Sequence, residues 1–367
     1  MAQYYLGWFK MLFYYSIWFV ISFFSFFSSK KPEIRVFFLC LLIFLCLMTG
    51  LRFEIGGDWE NYLNIYDWFR GLTFIESLSV TDPGYGILNY FSLELGFSDT
   101  FLINFICALI FYTCFYFVCK DMENYWLPLL ISFPYLILVV SMGYTRQSVA
   151  IALVILAFKC ALEGKFWKLA IFSFLAMSFH KSAIIIFMLY PFFLMPSRTF
   201  ERQWVFYFYT LVSFLVMSAL VYISSITGEN VYTNQSGDIS STGAIFRIIV
   251  HFLPLLFYFL YYSKIKKILK FNLRVFDYLA LLILYTLILA IPFSTLADRF
   301  NLYLIMFDIF VFSFLFAHLN YFNRSVMVGS IIFFNTLMLV IWLNFGAWSQ
   351  AWLPYQNYLF NYLMESI

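Results

Sequence analysis

Arginine and histidine occur in five short polar motifs that interrupt long apolar segments. In chain order these motifs contain Arg52, Arg146, the pair His180–Lys181, Arg247, and the pair Asp298–Arg299. A guanidinium group is planar, stays protonated and donates two parallel hydrogen bonds, which suits phosphate oxygens. Charged groups at bilayer depth are costly unless they face a partner or a cavity. Arginines that converge near one membrane face therefore predict a site for a diphosphate whose lipid lies in the bilayer.

Metal ligation is not indicated by the spacing of the potential ligands. The six cysteines lie in or beside apolar segments without paired spacing, and no carboxylate cluster has the arrangement of metal ligands. The arginines are therefore expected to act as the charge sink that Mg²⁺ supplies in many phosphate sites, and no metal or cofactor is predicted. His251, one helical turn after Arg247, is expected to share its face, and Asp308 to pair within the helix bundle.

The composition places these motifs in a membrane protein. Of 367 residues, 64% are hydrophobic and only 11% are charged, far below the charged fraction of soluble domains. The apolar runs, such as residues 11–27, are continuous rather than alternating, which predicts helices and excludes an outer-membrane barrel. The net charge of +3 is spread thinly, so no nucleic-acid partner is expected.

Hydropathy predicts an all-α polytopic membrane protein with about twelve transmembrane helices. The candidate spans are 8–29, 34–51, 100–119, 125–143, 147–162, 166–179, 182–196, 204–226, 245–263, 276–292, 300–320 and 326–345. The pair 166–179 and 182–196 is short for two spans and is equally compatible with one bent helix or a re-entrant hairpin. One membrane domain over residues 1–367 is predicted, without internal repeats.

Lysine and arginine set the predicted orientation. In the twelve-span arrangement 15 of the 22 basic residues fall on one side, which is therefore cytoplasmic, with both termini outside. The outer side keeps seven basic residues, and five of them are arginines: Lys10, Arg52, Arg70, Arg146, Lys181, Arg247 and Arg299. Lys10 and Arg70 are expected to anchor headgroups, whereas the others need a further reason.

Two outer segments are long enough to contribute to a site. Residues 52–99 are the most polar stretch, with helix-like apolar spacing after Asp58 and Pro83, and are predicted to form short amphipathic helices at the outer leaflet. Residues 227–243 have the composition of a loop and are predicted to be an outer loop that serves as a lid.

Four motifs resemble those of the EpsG/Wzy-type polymerases of surface polysaccharides. Residues 52–62 (RFEIGGDWENY), 146–150 (RQSVA), 179–183 (FHKSA) and 298–303 (DRFNLY) are similar to family elements in the same order. The resemblance covers about residues 50–320 and depends on the motifs together, since each alone is short. The chain departs from it at Gly57–Asp58–Trp59, where many relatives carry Thr–Asp–Tyr.

The resemblance implies an O-antigen polymerase or related enzyme in the bacterial cytoplasmic (inner) membrane, with its active site facing the periplasm. Such an enzyme transfers a growing glycan from undecaprenyl diphosphate to a second lipid-linked repeat unit. The expected partners are the undecaprenyl-diphosphate-linked donor and acceptor, membrane lipids and a chain-length regulator protein. This chemistry needs a clamp for the diphosphate, a base for the acceptor hydroxyl and exclusion of water.

Roles for individual residues follow from this reaction as hypotheses. His180 is the first choice for the general base, and Asp58 is the alternative. The remaining residues are assigned to substrate binding: Arg52, Arg146, Arg299 and Arg247 at the diphosphate, with Gln147, Tyr62, Tyr303, Asp298 and Lys181 along the path of the sugar or diphosphate.

Two other functions use similar residues. An O-antigen ligase or another polyprenyl-phosphate glycosyltransferase would need the same arginines with a different acceptor. A flippase for the lipid-linked unit would instead show charged residues along a path to both membrane faces, often with repeated halves. The confinement of the polar motifs to one face favours the polymerase.

Overall fold

A computed structural model describes residues 2–27, 31–227, 243–269 and 272–359. Most of the loop predicted at 227–243 lies outside these described residues. The α-helices in these ranges are Ala2–Phe26, Pro32–Gly50, Trp59–Asp67, Phe74–Val80, Pro83–Glu94, Phe101–Cys119, Leu127–Ser132, Ser141–Gly143, Thr145–Leu162, Phe166–Phe179, Tyr190–Leu194, Ser197–Glu201, Gln203–Thr227, Ala244–Ile249, Phe252–Leu260, Tyr262–Leu269, Leu273–Leu289, Ser294–Asn301, Ile305–His318 and Tyr321–Phe345. A π-helix spans Phe133–Val140, and 3₁₀-helices span Lys181–Leu189, Leu302–Leu304 and Ser349–Trp352.

Several of these helices are long and apolar enough to cross a membrane. Within the described ranges there are five: Pro32–Gly50, Phe101–Cys119, Thr145–Leu162, Ser294–His318 and Tyr321–Phe345. A sixth span is possible if Ala244–Leu260 and Tyr262–Leu269, which meet at a bend of 81°, cross together. Five further apolar helices are shorter: Lys10–Phe26, Leu127–Gly143, Phe166–Phe179, Lys181–Leu194 and Gln203–Ala219. The all-helical membrane class is confirmed, whereas the count of about twelve spans is not confirmed.

Breaks inside apolar runs account for part of this difference. The predicted span 125–143 contains Pro134, near the start of the π-helix Phe133–Val140. The predicted span 245–263 contains Pro254, and its first helix ends at Ile249. Proline has no amide hydrogen and its ring clashes with the carbonyl four residues earlier, so it interrupts the regular ladder. Arg247 lies in the helix Ala244–Ile249, and His251 lies directly before the helix Phe252–Leu260.

The chain forms two compact units. The first contains Met1–Leu156, Phe174–Lys181 and Phe316–Ile367, and the second contains Ala157–Ser173 and Ser182–Leu315. The single domain predicted over residues 1–367 thus contains two units, a division that hydropathy does not mark.

In the first unit, the span Pro32–Gly50 packs closely against Phe101–Cys119. Gly50 permits this approach, because a Cβ added there would lie 3.0 Å from the Cα of Phe105. At another place in this unit the ring of Trp126 stacks on Phe24 at 4.8 Å and meets Phe38 edge-on at 5.1 Å. Trp126 thus packs against both the helix Ala2–Phe26 and the helix Pro32–Gly50.

The polar segment 52–99 is helical, as predicted, and forms the three short helices Trp59–Asp67, Phe74–Val80 and Pro83–Glu94. Thr73 and Glu76 form a reciprocal capping box at the start of the second helix. Asp82 immediately precedes the third helix, whose first residue is Pro83. Proline is favoured at this first position because its missing amide hydrogen would have no helical partner.

The C-terminal segment closes over the loop that follows the span Pro32–Gly50. Trp352 is buried, and its indole Nε1 donates to the carbonyl of Leu138 at 2.9 Å. The hydroxyl of Tyr14 donates to the carbonyl of Trp352 at 2.8 Å. The amide of Phe53 donates to the carbonyl of Gln356 at 3.1 Å. The loop that carries Arg52 is therefore bonded to the C-terminal segment, and that segment is bonded in turn to the N-terminal helix.

Two glycines let this loop approach its neighbours. Gly56 has a φ of +110°, and a Cβ added there would lie 2.7 Å from the carbonyl oxygen of Met142. A Cβ added at Gly143 would lie 2.8 Å from the ring of Trp352. Glycine tolerates both the positive φ and the close approach, so the loop after Arg52 lies directly against the turn before Arg146.

Aromatic rings form the centre of the second unit. The ring of Phe158 lies 5.9 Å from Phe193, 5.7 Å from Phe276 and 5.3 Å from Phe310. Such edge-to-face pairs add to the free energy gained by burying the rings. They join the helices Leu273–Leu289 and Ile305–His318 within this unit.

We expect Gly56→Ala to destabilise the protein by about 1–3 kcal/mol, through strain at positive φ and the clash with Met142. Each kcal/mol lowers the melting temperature of a domain of 150–250 residues by about 2–4 °C. The measurement is the apparent unfolding temperature in detergent, read as loss of the monodisperse fraction after heating. Gly57→Ala is the matched control, because its added Cβ meets nothing closer than 3.8 Å. Equal effects of the two substitutions would contradict this account of the loop.

Candidate functional site

Arg52 is buried at the end of the span Pro32–Gly50, with 1% of its surface exposed. Its Nη1 donates to the carbonyl of Thr49 at 2.7 Å, and its Nη2 donates to Asn104 Oδ1 at 3.0 Å and to Thr145 Oγ1 at 2.7 Å. Its Nε has no hydrogen-bond partner. In the described part of the chain, Arg52 has only neutral acceptors and no carboxylate partner. It therefore joins three helices, and no described residue supplies a counter-charge to it.

Arg146 lies at the start of the helix Thr145–Leu162. It directly follows Thr145, which accepts a hydrogen bond from Arg52. Its Nη1 donates to Thr81 Oγ1 at 2.5 Å and to Asp82 Oδ2 at 3.1 Å. About a fifth of the side chain is exposed, and its Nε is buried without a partner. The guanidinium thus binds Thr81 and Asp82 through Nη1, while its Nε donor stays unused.

Asp82 connects Arg146 to the motif that contains His180. Its Oδ1 accepts from the backbone amide of Lys181 at 3.2 Å, and the carboxylate is 6% exposed. Burial raises the pKa of Asp82, while the positive charges of Arg146 and Lys181 oppose this rise. One carboxylate therefore positions both a predicted phosphate-binding arginine and the bend after the helix Phe166–Phe179.

Glycine 84 brings this bend close to the helix Pro83–Glu94. A Cβ at Gly84 would lie 2.7 Å from Ser178 Oγ and 2.9 Å from the carbonyl oxygen of Ser178. The half-buried His180 lies two residues after Ser178, and its amide donates to the carbonyl of Ala176 at 3.0 Å. The side chain of Lys181 is exposed, so this residue contacts Asp82 through its backbone.

Two tyrosines line the space beside Arg146. The guanidinium carbon lies 6.0 Å from the ring centre of Tyr62 and 5.6 Å from that of Tyr85, and the two rings are 5.8 Å apart. Burial raises the pKa of Tyr62, and the charge of Arg146 opposes this rise. Rings at this distance stabilise a guanidinium through cation–π attraction without consuming its hydrogen-bond donors.

Asp58 and Gln147 lie at the edges of this cluster. Asp58 is half-buried before the helix Trp59–Asp67, and its Oδ1 accepts from Asn61 Nδ2 at 3.3 Å. Its negative charge acts on Tyr62. Gln147 is buried next to Arg146. The first unit therefore gathers Arg52, Asp58, Tyr62, Arg146 and the backbone of the 180–181 bend around the 52–99 segment.

The second unit contains Arg247 as half of an ion pair. Its Nε donates to Asp298 Oδ1 at 2.6 Å and its Nη2 to Asp298 Oδ2 at 2.7 Å, which is a bidentate arrangement. Asn301 Nδ2 donates to the carbonyl of Arg247 at 3.4 Å. The two residues that were predicted to bind substrate thus bind each other, and the pair joins the helices Ala244–Ile249 and Ser294–Asn301.

Arg299 and Tyr303 lie in the same part of the second unit. Arg299 is half-buried in the last turn of the helix Ser294–Asn301. Tyr303 is fully buried, and its hydroxyl lies 2.9 Å from Ser182 Oγ. Since Tyr303 is enclosed and bonded to the protein, it supports the segment that carries Arg299.

His251 and Asp308 form a second buried pair in this unit. His251 Nδ1 lies 2.7 Å from Asp308 Oδ2, and Asp308 Oδ1 has no hydrogen-bond partner. The expectation that Asp308 pairs within the bundle agrees with this contact. Arg70, one of the predicted headgroup anchors, is exposed and paired with Asp67 at 2.8 Å.

Sequence reasoning did not single out Asp82, Thr145 or Tyr85. Asp82 and Tyr85 belong to residues 82–85 (DPGY), in which Asp before Pro at a helix start marks the boundary of a helix. That signal locates the helix, but it does not reveal which arginine the carboxylate meets. Among the described residues, no three His, Cys, Asp or Glu side chains are grouped as a metal site would need.

A family model described as the EpsG family matches residues 35–357. This range covers most of the chain, so the chain belongs to the EpsG family, which includes Wzy-type polymerases. The resemblance seen in the four motifs is confirmed, and membership indicates a polysaccharide polymerase-like membrane protein. No curated protein and no solved structure matches the chain significantly.

We expect Arg52→Ala to lower the free energy of unfolding by about 2–4 kcal/mol, because it leaves buried acceptors on three helices without their donor. The apparent unfolding temperature in detergent measures this effect. Arg70→Ala is the matched control: its pair with Asp67 is more than half exposed, and such pairs contribute about 0–1 kcal/mol. An Arg52→Ala protein as stable as the Arg70→Ala protein would show that Arg52 does not join the helices.

Proposed function

We propose that this EpsG-family chain polymerises undecaprenyl-diphosphate-linked oligosaccharide repeat units. The reaction is glycosyl transfer at the periplasmic face of the bacterial cytoplasmic membrane, as in O-antigen polymerases. The observation that carries the proposal is the buried Arg52, which has no carboxylate partner among the described residues, beside Arg146, which has one. A site with more buried guanidinium than carboxylate favours an anionic ligand.

The arginines suit a diphosphate leaving group. In the reaction, the oxygen of the acceptor hydroxyl bonds to the anomeric carbon of the donor while the bond from that carbon to the diphosphate breaks. Negative charge then grows on the departing oxygen. Arg52 and Arg146 are proposed to balance it in the first unit, since guanidinium groups held in place need no reorganisation.

We assign Arg247 a structural role instead of the diphosphate binding that the sequence predicted. Both of its parallel donors are occupied by Asp298 at 2.6 and 2.7 Å. We therefore assign the pair to holding the helix Ser294–Asn301, and with it Arg299. Tyr303 is assigned a similar supporting task through Ser182.

A base must accept the proton of the acceptor hydroxyl. His180 is proposed for this role, because imidazole exchanges protons near neutral pH and because Asp82 fixes the adjacent residue. Asp58 is the alternative, since it lies beside Tyr62 on the other polar motif of the first unit. Gln147, Tyr62 and Lys181 are proposed to contact the sugar or diphosphate as it enters.

The direct test uses purified protein, lipid-linked single repeat units and EDTA, with the products resolved on a gel. We expect a ladder of glycan lengths without added metal. Arg146→Ala is expected to lose the ladder, whereas Arg70→Ala keeps it. Transfer to a different acceptor only would indicate a ligase, and transport of the unit across proteoliposome membranes without a ladder would indicate a flippase. Either result would overturn the proposed polymerase.

His180→Ala and Asp58→Asn separate the two candidate bases. We expect His180→Ala to reduce turnover by about 10²–10⁴-fold, the usual contribution of a general base, with the folded protein retained. Asp58→Asn is expected to change turnover by less. The measurement is the initial rate of single-unit addition at saturating donor. Near-normal turnover of the His180→Ala protein would transfer the role of base to Asp58.

Acidification is expected to reduce activity through Asp82. Because burial raises the pKa of Asp82, this carboxyl takes up its proton at a higher pH than an ordinary aspartate, and Arg146 then loses its counter-charge. A raised pKa in the fold also means that protonation favours the folded state, so stability is not lost in the same step. Rate and unfolding temperature are measured across pH. We expect an Asp82→Asn protein to have low activity and to lack the fall in rate on acidification. The same fall in rate as in the wild-type chain would contradict the role of Asp82.

A further inference from the structure

Several buried hydrogen-bond donors of the first unit have no partner among the described residues, and three of them belong to the 52–99 segment and the start of the helix Thr145–Leu162. They are Nε of Arg52, Nε of Arg146 and the hydroxyl of Tyr85. Tyr85 is completely buried in the helix Pro83–Glu94. Buried polar groups in folded proteins are nearly always hydrogen-bonded, so three unpaired donors that lie close together require an explanation.

The three donors belong to one cluster. The guanidinium of Arg146 lies 5.6 Å from the ring centre of Tyr85, and the Tyr85 and Tyr62 rings are 5.8 Å apart. Arg52 is bonded to Thr145, the residue before Arg146, at 2.7 Å. Both guanidinium charges oppose the rise that burial causes in the pKa of Tyr85. Two cations and one phenol therefore share the same small polar region.

The acceptors in this region are already engaged. Asp82 accepts from Arg146 at 3.1 Å and from the amide of Lys181 at 3.2 Å. Asn104 and Thr145 accept from Arg52 through its Nη2. A buried water could satisfy a donor, but it would not balance the charge of Arg52. An anion with several oxygens satisfies the donors and the charge together.

We propose that the hydroxyl of Tyr85 is a further binding group for phosphoryl oxygens of the lipid-linked diphosphate, beside Arg52 and Arg146. This inference rests on the proposed function, because it adds a residue to the same donor site. Tyr85 must keep its proton to donate. Burial raises the pKa of Tyr85 well above its ordinary value, with Tyr62 and Cys107 adding to the rise and the two arginines opposing it.

Tyr85→Phe tests the hydroxyl alone. The ring remains, so its contacts with Tyr62 and with the Arg146 guanidinium are kept. Tyr66→Phe is the matched control, because the hydroxyl of Tyr66 is fully used: it donates to the carbonyl of Phe97 at 2.8 Å and lies 3.1 Å from Ser92 Oγ. One substitution removes an unpaired buried hydroxyl and the other removes a paired one.

Two measurements are made on both variants and on the wild-type chain in detergent. The first is the concentration of inorganic pyrophosphate that gives half of the maximal rise in unfolding temperature. The second is the KM for the lipid-linked donor in the ladder assay. We expect Tyr85→Phe to raise both values roughly tenfold or more, as for loss of a hydrogen bond to a charged group, while the unfolding temperature without ligand stays equal or rises. Tyr66→Phe should lower that temperature and leave both values unchanged.

The outcomes separate this inference from the proposed function. A wild-type chain that makes no ladder contradicts the polymerase, while pyrophosphate still tests Tyr85. A ladder with unchanged KM and unchanged pyrophosphate dependence in Tyr85→Phe would overturn the role of Tyr85 and leave the polymerase standing. If pyrophosphate does not stabilise the wild-type chain at all, the proposed role of Tyr85 is also overturned.

Discussion

Burial of the Arg52 and Arg146 guanidinium groups is the constraint on which the first unit depends. A buried charge is costly unless hydrogen bonds and opposite charge compensate it. Arg52 obtains hydrogen bonds from three helices but no carboxylate among the described residues. Arg146 obtains Asp82 and two aromatic faces. The segments that provide these partners must therefore stay close together, and the remaining contacts of the unit achieve this.

The loop and the C-terminal segment keep the partners in place. Gly56 lets the loop backbone approach the backbone of Met142, and Gly143 lets the ring of Trp352 approach the backbone before Arg146. Trp352 fills the space beside Gly143 and is bonded to Leu138 and Tyr14. Residues far from the polar motifs in the chain thus decide whether Arg52 meets Thr145. In the same arrangement the Nε donors of both arginines have no partner. Unpaired donors are expected in an anion-binding site that holds no ligand.

Much of the fold class and part of the site follow from the sequence. Continuous apolar runs predict membrane helices, and the order of the four motifs predicts the family. The number of spans does not follow, because hydropathy averages over Pro134 and Pro254, where the regular α-helical hydrogen bonding is interrupted. The pairing of Arg247 with Asp298 and of Arg146 with Asp82 also escapes prediction. Both depend on which helices meet, and charge spacing along the chain holds no information about contacts between distant segments.

Arg52, Arg146 and the tyrosines beside them are proposed to bind a diphosphate. The most direct measurement is an electron cryomicroscopy structure of the chain in a lipid nanodisc with undecaprenyl diphosphate. We predict phosphoryl density within hydrogen-bond distance of the Arg146 guanidinium and the Tyr85 hydroxyl. Density for the diphosphate away from these residues, with the donors of Arg52 and Arg146 still unpaired, would contradict it.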